Sequence, residues 1–276
     1  MKKRYFLIGA LCDVGKVRTV NQDSILIRVG SKQDDEFGLF VVADGLGGLS
    51  DGQIASQMVV ERLSMWWESE LAHLMCNNKD VDIRTIDRQL YEVVVGINEN
   101  IIAYATRRDM KMASTLSLIF ILKNQYIIKH LGDSRIYIIN QNVQQVTEDH
   151  SWVNTEIKAG KMSVEAARGH PKRNILTHCL GITTGNDMYE MQGELQKDDI
   201  ILLCSDGFYT HVYDVEMRSI IYQQVKNKTD HMQCIVKELF EKTMMQGGRD
   251  NISIILVKQQ YCRQRKNRRI REKKNE

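Results

Sequence analysis

Val41-Val-Ala-Asp44-Gly45-Leu-Gly47-Gly48-Leu-Ser-Asp51-Gly52 is an apolar run that stops on an aspartate and opens into a loop holding four of the chain's 18 glycines. Glycine at that density signals unusual backbone geometry or a close approach by another group. A carboxylate at a strand end, followed by exposed backbone carbonyls, offers the hard oxygen ligands that Mg2+ or Mn2+ prefer. Taken alone, the stretch reads equally well as a glycine turn between a strand and a helix whose first turn is acidified by Asp51.

The same grammar recurs along the chain. Ile200-Ile-Leu-Leu-Cys-Ser-Asp206-Gly207 places a second Asp-Gly pair directly after an apolar run. In Gly247-Gly248-Arg-Asp250-Asn251 the acid precedes a run, and in Ile127-Ile-Lys-His-Leu-Gly132-Asp133-Ser134-Arg135 it follows one. Four strand-edge aspartates, Asp44, Asp133, Asp206 and Asp250, can converge at one end of a sheet. Together they would form an oxygen-rich cage, free of histidine and cysteine, for two or more divalent ions. A pair of such ions about 4 Å apart lowers the pKa of a shared water and holds a phosphate ester for in-line attack.

Strand-like runs are expected at Tyr5–Cys12, Ser24–Val29, Phe37–Ala43, Thr115–Leu122, Tyr126–Leu131, Arg135–Ile139, Ile200–Cys204 and Ile252–Val257. Apolar residues recurring every three or four positions predict helices at Gly52–Leu74, Ile83–Arg107, Val215–Val225 and His231–Met245. Strands grouped with strands, and helices in adjacent pairs, argue against repeated βαβ units and for packed sheets flanked by helices.

Composition sets the outer bounds. With 276 residues, 43% hydrophobic and 26% charged, the chain is expected to build one globular domain with a sizeable core. Six cysteines stand at 12, 76, 179, 204, 234 and 262 without a C-x-x-C pair, the usage of reduced thiols in a cytoplasmic protein. The opening MKKRYFLIGALC imitates a secretion signal, but its short apolar run leads straight into another patterned segment and reads as a first strand. No apolar run approaches membrane-spanning length. The net charge of +3 conceals a tail, residues 261–276, with eight Lys or Arg against two Glu, a local +6 that leaves the body at −3. Basic charge confined to a polar terminus reads as a solvated, disordered appendage and gives no reason to expect nucleic-acid binding.

In order, Asp13-x-Gly15-x-x-Arg18-x-x-Asn21-Gln22-Asp23, Ala43-Asp44-Gly45-x-Gly47-Gly48, Gly132-Asp133-Ser134-Arg135, Thr147-x-Asp149-His150-Ser151, Cys204-Ser205-Asp206-Gly207 and Gly248-x-Asp250-Asn251 resemble the bacterial type 2C metal-dependent serine/threonine protein phosphatases. Any one motif is common, whereas the ordered set across residues 5–258 is specific. The resemblance implies an α+β fold, a central antiparallel β-sandwich with a helix pair on each outer face in four α-β-β-α layers. It also implies a catalytic domain over 1–258, with a flap at 152–180, and a basic tail at 259–276. By matched position, Asp44 would bridge two Mn2+ or Mg2+ ions, the Gly45 carbonyl would add a ligand, and Asp206 and Asp250 would complete one shell. Asp133, with Asp206, would serve a weaker third ion. Arg18 would bind phosphate through its planar fork, and Asp23 would hold metal-bound waters. The implied reaction is hydrolysis of phosphoserine and phosphothreonine in proteins by a metal-activated water attacking phosphorus in line. Such an enzyme would work as a cytoplasmic monomer opposing a serine/threonine kinase.

The chain departs from that pattern at Leu46, where eukaryotic relatives usually carry a histidine discussed as the general acid, so the leaving-group proton must come from elsewhere. His150 and His170 are expected to be structural hydrogen-bonders. Two rival readings remain. Cys12-x-x-Gly15-x-x-Arg18-Thr19 fits the loop of cysteine-dependent phosphatases, but Asn21 onward reads as turn and strand where that loop needs a helix, and Asp13 opposes a thiolate. The other rival is a binding module that has lost catalysis, against which the intact aspartates argue.

Overall fold

The computed structural model describes residues 2–33, 35–48, 51–182, 187–226 and 231–263. Leu39, Phe40, Val41, Val42 and Ala43 are all fully buried. Successive side chains of a strand point to opposite faces, so this strand is covered on both sides. Leu39, Val41 and Ala43 pack in one apolar cluster with helical residues such as Val59, Leu63, Leu90 and Ile97. Phe40 and Val42 pack in another with Leu203, Ile255 and Val257 of a second sheet. That division generates the layers.

The first sheet runs β2 (Asp23–Lys32), β3 (Asp35–Gly47), β5 (Leu116–Leu122), β6 (Gln125–Leu131) and β9 (Tyr189–Glu194), with the short β4 (Met112–Ser114) paired to the end of β3. The second runs β1 (Lys2–Asp13), β11 (Ile252–Arg263), β10 (Ile200–Cys204), β7 (Arg135–Ile139) and β8 (Val143–Gln145). Every pairing is antiparallel. On the first sheet lie α1 (Asp51–Trp66), α2 (Ala72–Asn77) and α3 (Ile83–Arg108). The second is covered by α7 (Asp214–Lys226) and α8 (Met232–Met245), through Met217, Ile221, Ile235 and Leu239 against Leu202, Ile254 and Leu256. Three short helices, α4 (Trp152–Lys158), α5 (Val164–Arg168) and α6 (Asp206–Tyr209), lie around the sandwich end described below. The expected four-layer α-β-β-α sandwich is the observed fold. Truncating a side chain such as Phe40, which fills the middle layer, would cost about 3–5 kcal/mol.

Differences from the sequence expectation lie at element ends and edges. The helix expected at Gly52–Leu74 is interrupted by a π-helical turn, Trp67–Leu71, between α1 and α2. β9 has the burial alternation of an edge strand but only Tyr189 and Met191 as large apolar residues, so its pattern is weak. β4 and β8 span only three residues each. β11 continues to Arg263, past the apolar stop at Val257, because β1 pairs with it along its length from Asp13↔Ile252 to Lys2↔Arg263. A domain boundary at 258 therefore cuts through a strand, and the polar character of Lys258, Gln259 and Gln260 conceals it. Residues 264–276 of the basic tail lie outside the described residues. No helix among the described residues is long and apolar enough to cross a membrane.

Candidate metal centre

Antiparallel pairing turns the recurring strand-end aspartates into neighbours. The end of β3 lies beside the start of β2, with Asp44 directly opposite Asp23. The end of β10, Cys204, faces Ile254 near the start of β11, so Asp206 just beyond one strand meets Asp250 just before the other. Asp133 joins them from the turn between β6 and β7. Facing carboxylates destabilise a strand pair unless something opposes their charge.

The second-row polar groups are built with care around them. Asp23 is buried, and its Oδ2 accepts hydrogen bonds from Ser205 Oγ and Ser253 Oγ, both at 2.7 Å. Its Oδ1 is buried without a hydrogen-bond partner. The Asp44 amide donates to Thr115 Oγ1 at 2.9 Å, and that hydroxyl meets Ser134 Oγ at 2.5 Å, linking the Asp44 and Asp133 segments. Asn251 clamps the loop that carries Arg18. Its Nδ2 donates to the Val14 and Val20 carbonyls at 2.9 and 3.1 Å, and its Oδ1 accepts from the Gln22 amide at 2.8 Å. Gly45 is pressed against Gly52, whose carbonyl oxygen would lie 2.0 Å from an added Cβ, so only glycine allows this approach. Gly15 adopts φ +75°, and a Cβ there would meet the Asp250 carbonyl oxygen at 2.1 Å.

Electrostatics marks the cluster as starved of positive charge. Burial, opposed by the Ser205 and Ser253 hydrogen bonds, pushes the Asp23 carboxyl up to about 6. Burial with the Asp250 and Asp23 charges pushes Asp206 up to about 7. Asp44 is raised well above the carboxylate range by burial, then by Asp23, Asp206, Asp133 and Asp250; Asp133 is raised by burial and Asp206. Arg18 reaches in with a single Nη2 contact to Asp250 Oδ2 at 2.8 Å while its side chain stays half exposed. A divalent cation would relieve both the crowding and the orphaned Asp23 oxygen, and an oxygen-only donor set fits Mg2+ or Mn2+. Among the described residues no three acidic, histidine or cysteine side chains close around one point.

The structure thus gathers Asp23, Asp44, Gly45, Asp133, Asp206 and Asp250 at one end of the sandwich, with Arg18 at the rim. The sequence reading quoted Ser134 and Ser205 within motifs but gave no role to Thr115, Ser134, Ser205 or Ser253, the hydroxyls that hold the acids. The available signal was a Ser or Thr adjoining each acid or strand end. Cys12 is no thiolate candidate. It sits in β1, burial raises its pKa, and β2 follows where a cysteine-phosphatase loop would start a helix. His150 Nδ1 accepts the Gly132 amide at 3.3 Å, and His170 packs against the Trp152 ring at 5.1 Å.

A cleft of about 1000 Å3 is lined by Asp133, Asp206 and Asp250 and by residues of α4 and α5. Arg135 anchors this corner. Its guanidinium grips both oxygens of Asp149 (Nε–Oδ1 2.9 Å, Nη2–Oδ2 2.6 Å) and lies 3.7 Å from the centre of the Tyr209 ring in α6.

A sandwich whose sheet ends gather acidic oxygens beside an arginine and a broad cleft is the frame of a phosphoester hydrolase. The chain belongs to the protein phosphatase 2C family, whose sequence profile matches residues 16–253. It is a protein serine/threonine phosphatase of the bacterial kind. The serine/threonine phosphatase stp of Listeria welshimeri is 32% identical over 250 residues, covering 89% of this chain and 92% of that protein. The serine/threonine phosphatase structure from S. agalactiae aligns with a TM-score of 0.80 at 28% identity, over 92% of this chain and 99% of that one. The catalytic domain of the phosphatase PstP, solved in complex with two manganese ions, aligns with a TM-score of 0.74 at 26% identity, over 94% and 99% of the two chains.

Proposed function

We propose that this phosphatase works with two divalent cations, Mn2+ or Mg2+, held by Asp44, the Gly45 carbonyl, Asp206 and Asp250, with Asp133 and Asp206 serving a weaker third ion. The observation that carries the reading is the convergence of raised, mutually repelling carboxyls around a buried Asp23 oxygen with no partner. When bound, such ions supply Lewis-acid activation of water and neutralise phosphate charge for in-line displacement. Asp23, fixed by two serine hydroxyls, orients water with its free Oδ1. Arg18 gives up an exposed pair worth no more than about 1 kcal/mol and turns its fork to the phosphate oxygens. No histidine follows Gly45, so a water donates the leaving-group proton. The substrates are phosphoserine and phosphothreonine proteins, made by an opposing kinase, and the enzyme acts as a cytoplasmic monomer.

The test is hydrolysis of p-nitrophenyl phosphate and a phosphothreonine peptide after exhaustive chelation, then with Mn2+ or Mg2+ restored. The expected result is no turnover in chelator and recovery with either cation. Full activity in excess chelator overturns the metal assignment.

A further inference from the structure

The cleft is larger than a phosphorylated side chain requires, matching sites that enclose whole drug-sized ligands. Residues flanking the phosphorylated one must therefore lie in it. Which residues it accepts follows from its charges. Five Lys or Arg side chains line it: Arg135, Lys158, Arg168, Arg173 and Arg249. Two are already engaged, Arg135 with Asp149 and Lys158 with Glu148. Arg168 stacks 4.5 Å from the centre of the Tyr213 ring, which orients the guanidinium without cancelling its charge. Arg173 and Arg249 make no ion pair among the described residues.

On the acidic side, Glu148 and Asp149 are matched by those two pairs, while Asp133, Asp206 and Asp250 belong to the candidate metal centre. Asp214 alone remains against three uncommitted arginines. Arg249 adjoins Asp250, whereas Arg168 ends α5 and Arg173 follows it in sequence, both on the cleft lining. Free positive charge thus stands beside the candidate metal centre at Arg249 and elsewhere on the cleft lining at Arg168 and Arg173. Among the described residues none of the three closes an ion pair, although Glu165 of α5 lies within electrostatic reach of Arg168.

The geometry points to an anion-accepting subsite formed by Arg168, Arg173 and Arg249, which selects phosphorylated segments carrying a further negative group, a carboxylate or second phosphate, near the scissile one. The inference rests on the phosphatase reading above and adds a substrate class to it. Arg168, held on Tyr213, is the pre-oriented element; Arg173 is the adaptable one. An anionic neighbour gains from these charges without competing for the metal centre.

The experiment uses the full chain with Mn2+ and four phosphothreonine peptides, flanked by alanine, glutamate, lysine or a second phosphothreonine. Hydrolysis of p-nitrophenyl phosphate is run first. Failure there counts against the phosphatase reading and leaves no ratio to interpret. Given that turnover, glutamate flanks should raise kcat/KM over lysine flanks by about tenfold at low salt, the scale of two partly exposed charge pairs. The preference should shrink as salt reduces the Debye length from about 30 Å to about 8 Å. The doubly phosphorylated peptide separates the sources. A gain beyond glutamate assigns the subsite to phosphate, and equality assigns it to carboxylate. Arg173→Glu, an exposed change with no partner to lose, should invert the glutamate-to-lysine ratio, and Arg168→Lys should retain it. Equal rates for glutamate and lysine flanks in wild type, or an unchanged ratio in Arg173→Glu, overturns the proposal.

Discussion

Replacing Asn251 by alanine tests how the Arg18 loop is held. The side chain is buried, and it makes three hydrogen bonds to main-chain atoms of Val14, Val20 and Gln22. Each such bond contributes about 1 kcal/mol net, and a stranded buried partner costs about 1–3 kcal/mol. Val14, Val20 and Gln22 are only half buried, so water can reach the released groups. The loss should therefore fall at about 3 kcal/mol, the sum of the three net contributions. Urea unfolding of metal-free wild type and Asn251→Ala reads this directly, as a lower midpoint at constant slope. Asn251→Asp separates the contributions. It keeps the acceptor for the Gln22 amide, discards both donors and adds a carboxylate beside Asp250.

Kinetics carry the second half of the argument. With the loop released, Arg18 loses its station above Asp250, and KM for a phosphopeptide should rise by about tenfold, the worth of one charge-assisted hydrogen bond. Because the effect runs through Arg18, the KM changes of Asn251→Ala and Arg18→Ala should not add in the double variant. Additive KM effects, or a stability loss under about 1 kcal/mol, would refute the view that Asn251 positions the arginine.

Asp44→Asn, Asp206→Asn and Asp250→Asn should each lower Mn2+-supported turnover by at least about 100-fold; near-normal rates in two of them would remove the assigned ligand set. Arg18→Ala should raise KM while changing unfolding free energy by less than about 1 kcal/mol, since its ion pair is exposed. Burial pushes the His130 imidazole down to about 4, so its neutral form stabilises the fold fully above about 6.5, and up to about 3 kcal/mol is lost as pH falls from there to about 4. The wild-type stability curve should therefore fall more steeply than that of His130→Asn in this window, and parallel curves would contradict it. Truncation after Arg263 should leave p-nitrophenyl phosphate hydrolysis intact, whereas truncation after Val257 should destabilise the protein by exposing β1, whose Lys2–Phe6 stretch pairs with Gln259–Arg263.

The middle of the fold was legible because burial on two faces forces an unbroken apolar run, as in Leu39–Ala43 and Ile200–Cys204. Its margins were not. Lys258–Gln260 belong to a strand because β1 pairs with all three, and β10 with Lys258, through hydrogen bonds that do not depend on side-chain polarity. The acidic residues could be read for a related reason. An aspartate placed where a strand stops has no role in either sheet's apolar layers, so its repetition at Asp44, Asp133, Asp206 and Asp250 required a common purpose. The supporting hydroxyls carried a weaker signal, since a Ser or Thr beside an acid or a strand end also reads as a small core residue until Asp23 Oδ2 is found between Ser205 and Ser253. Arg18 shows the limit from the other side. Its motif position marked it for phosphate, yet against protein atoms alone the guanidinium satisfies the nearest carboxylate, Asp250. In the proposed role, the weak exposed pair and a stronger bidentate phosphate contact would draw on the same N–H groups, so substrate binding would break the first to form the second. Competition of this kind predicts that phosphate affinity depends on the charge of Asp250 as well as on Arg18, a dependence that sequence position alone could not have conveyed.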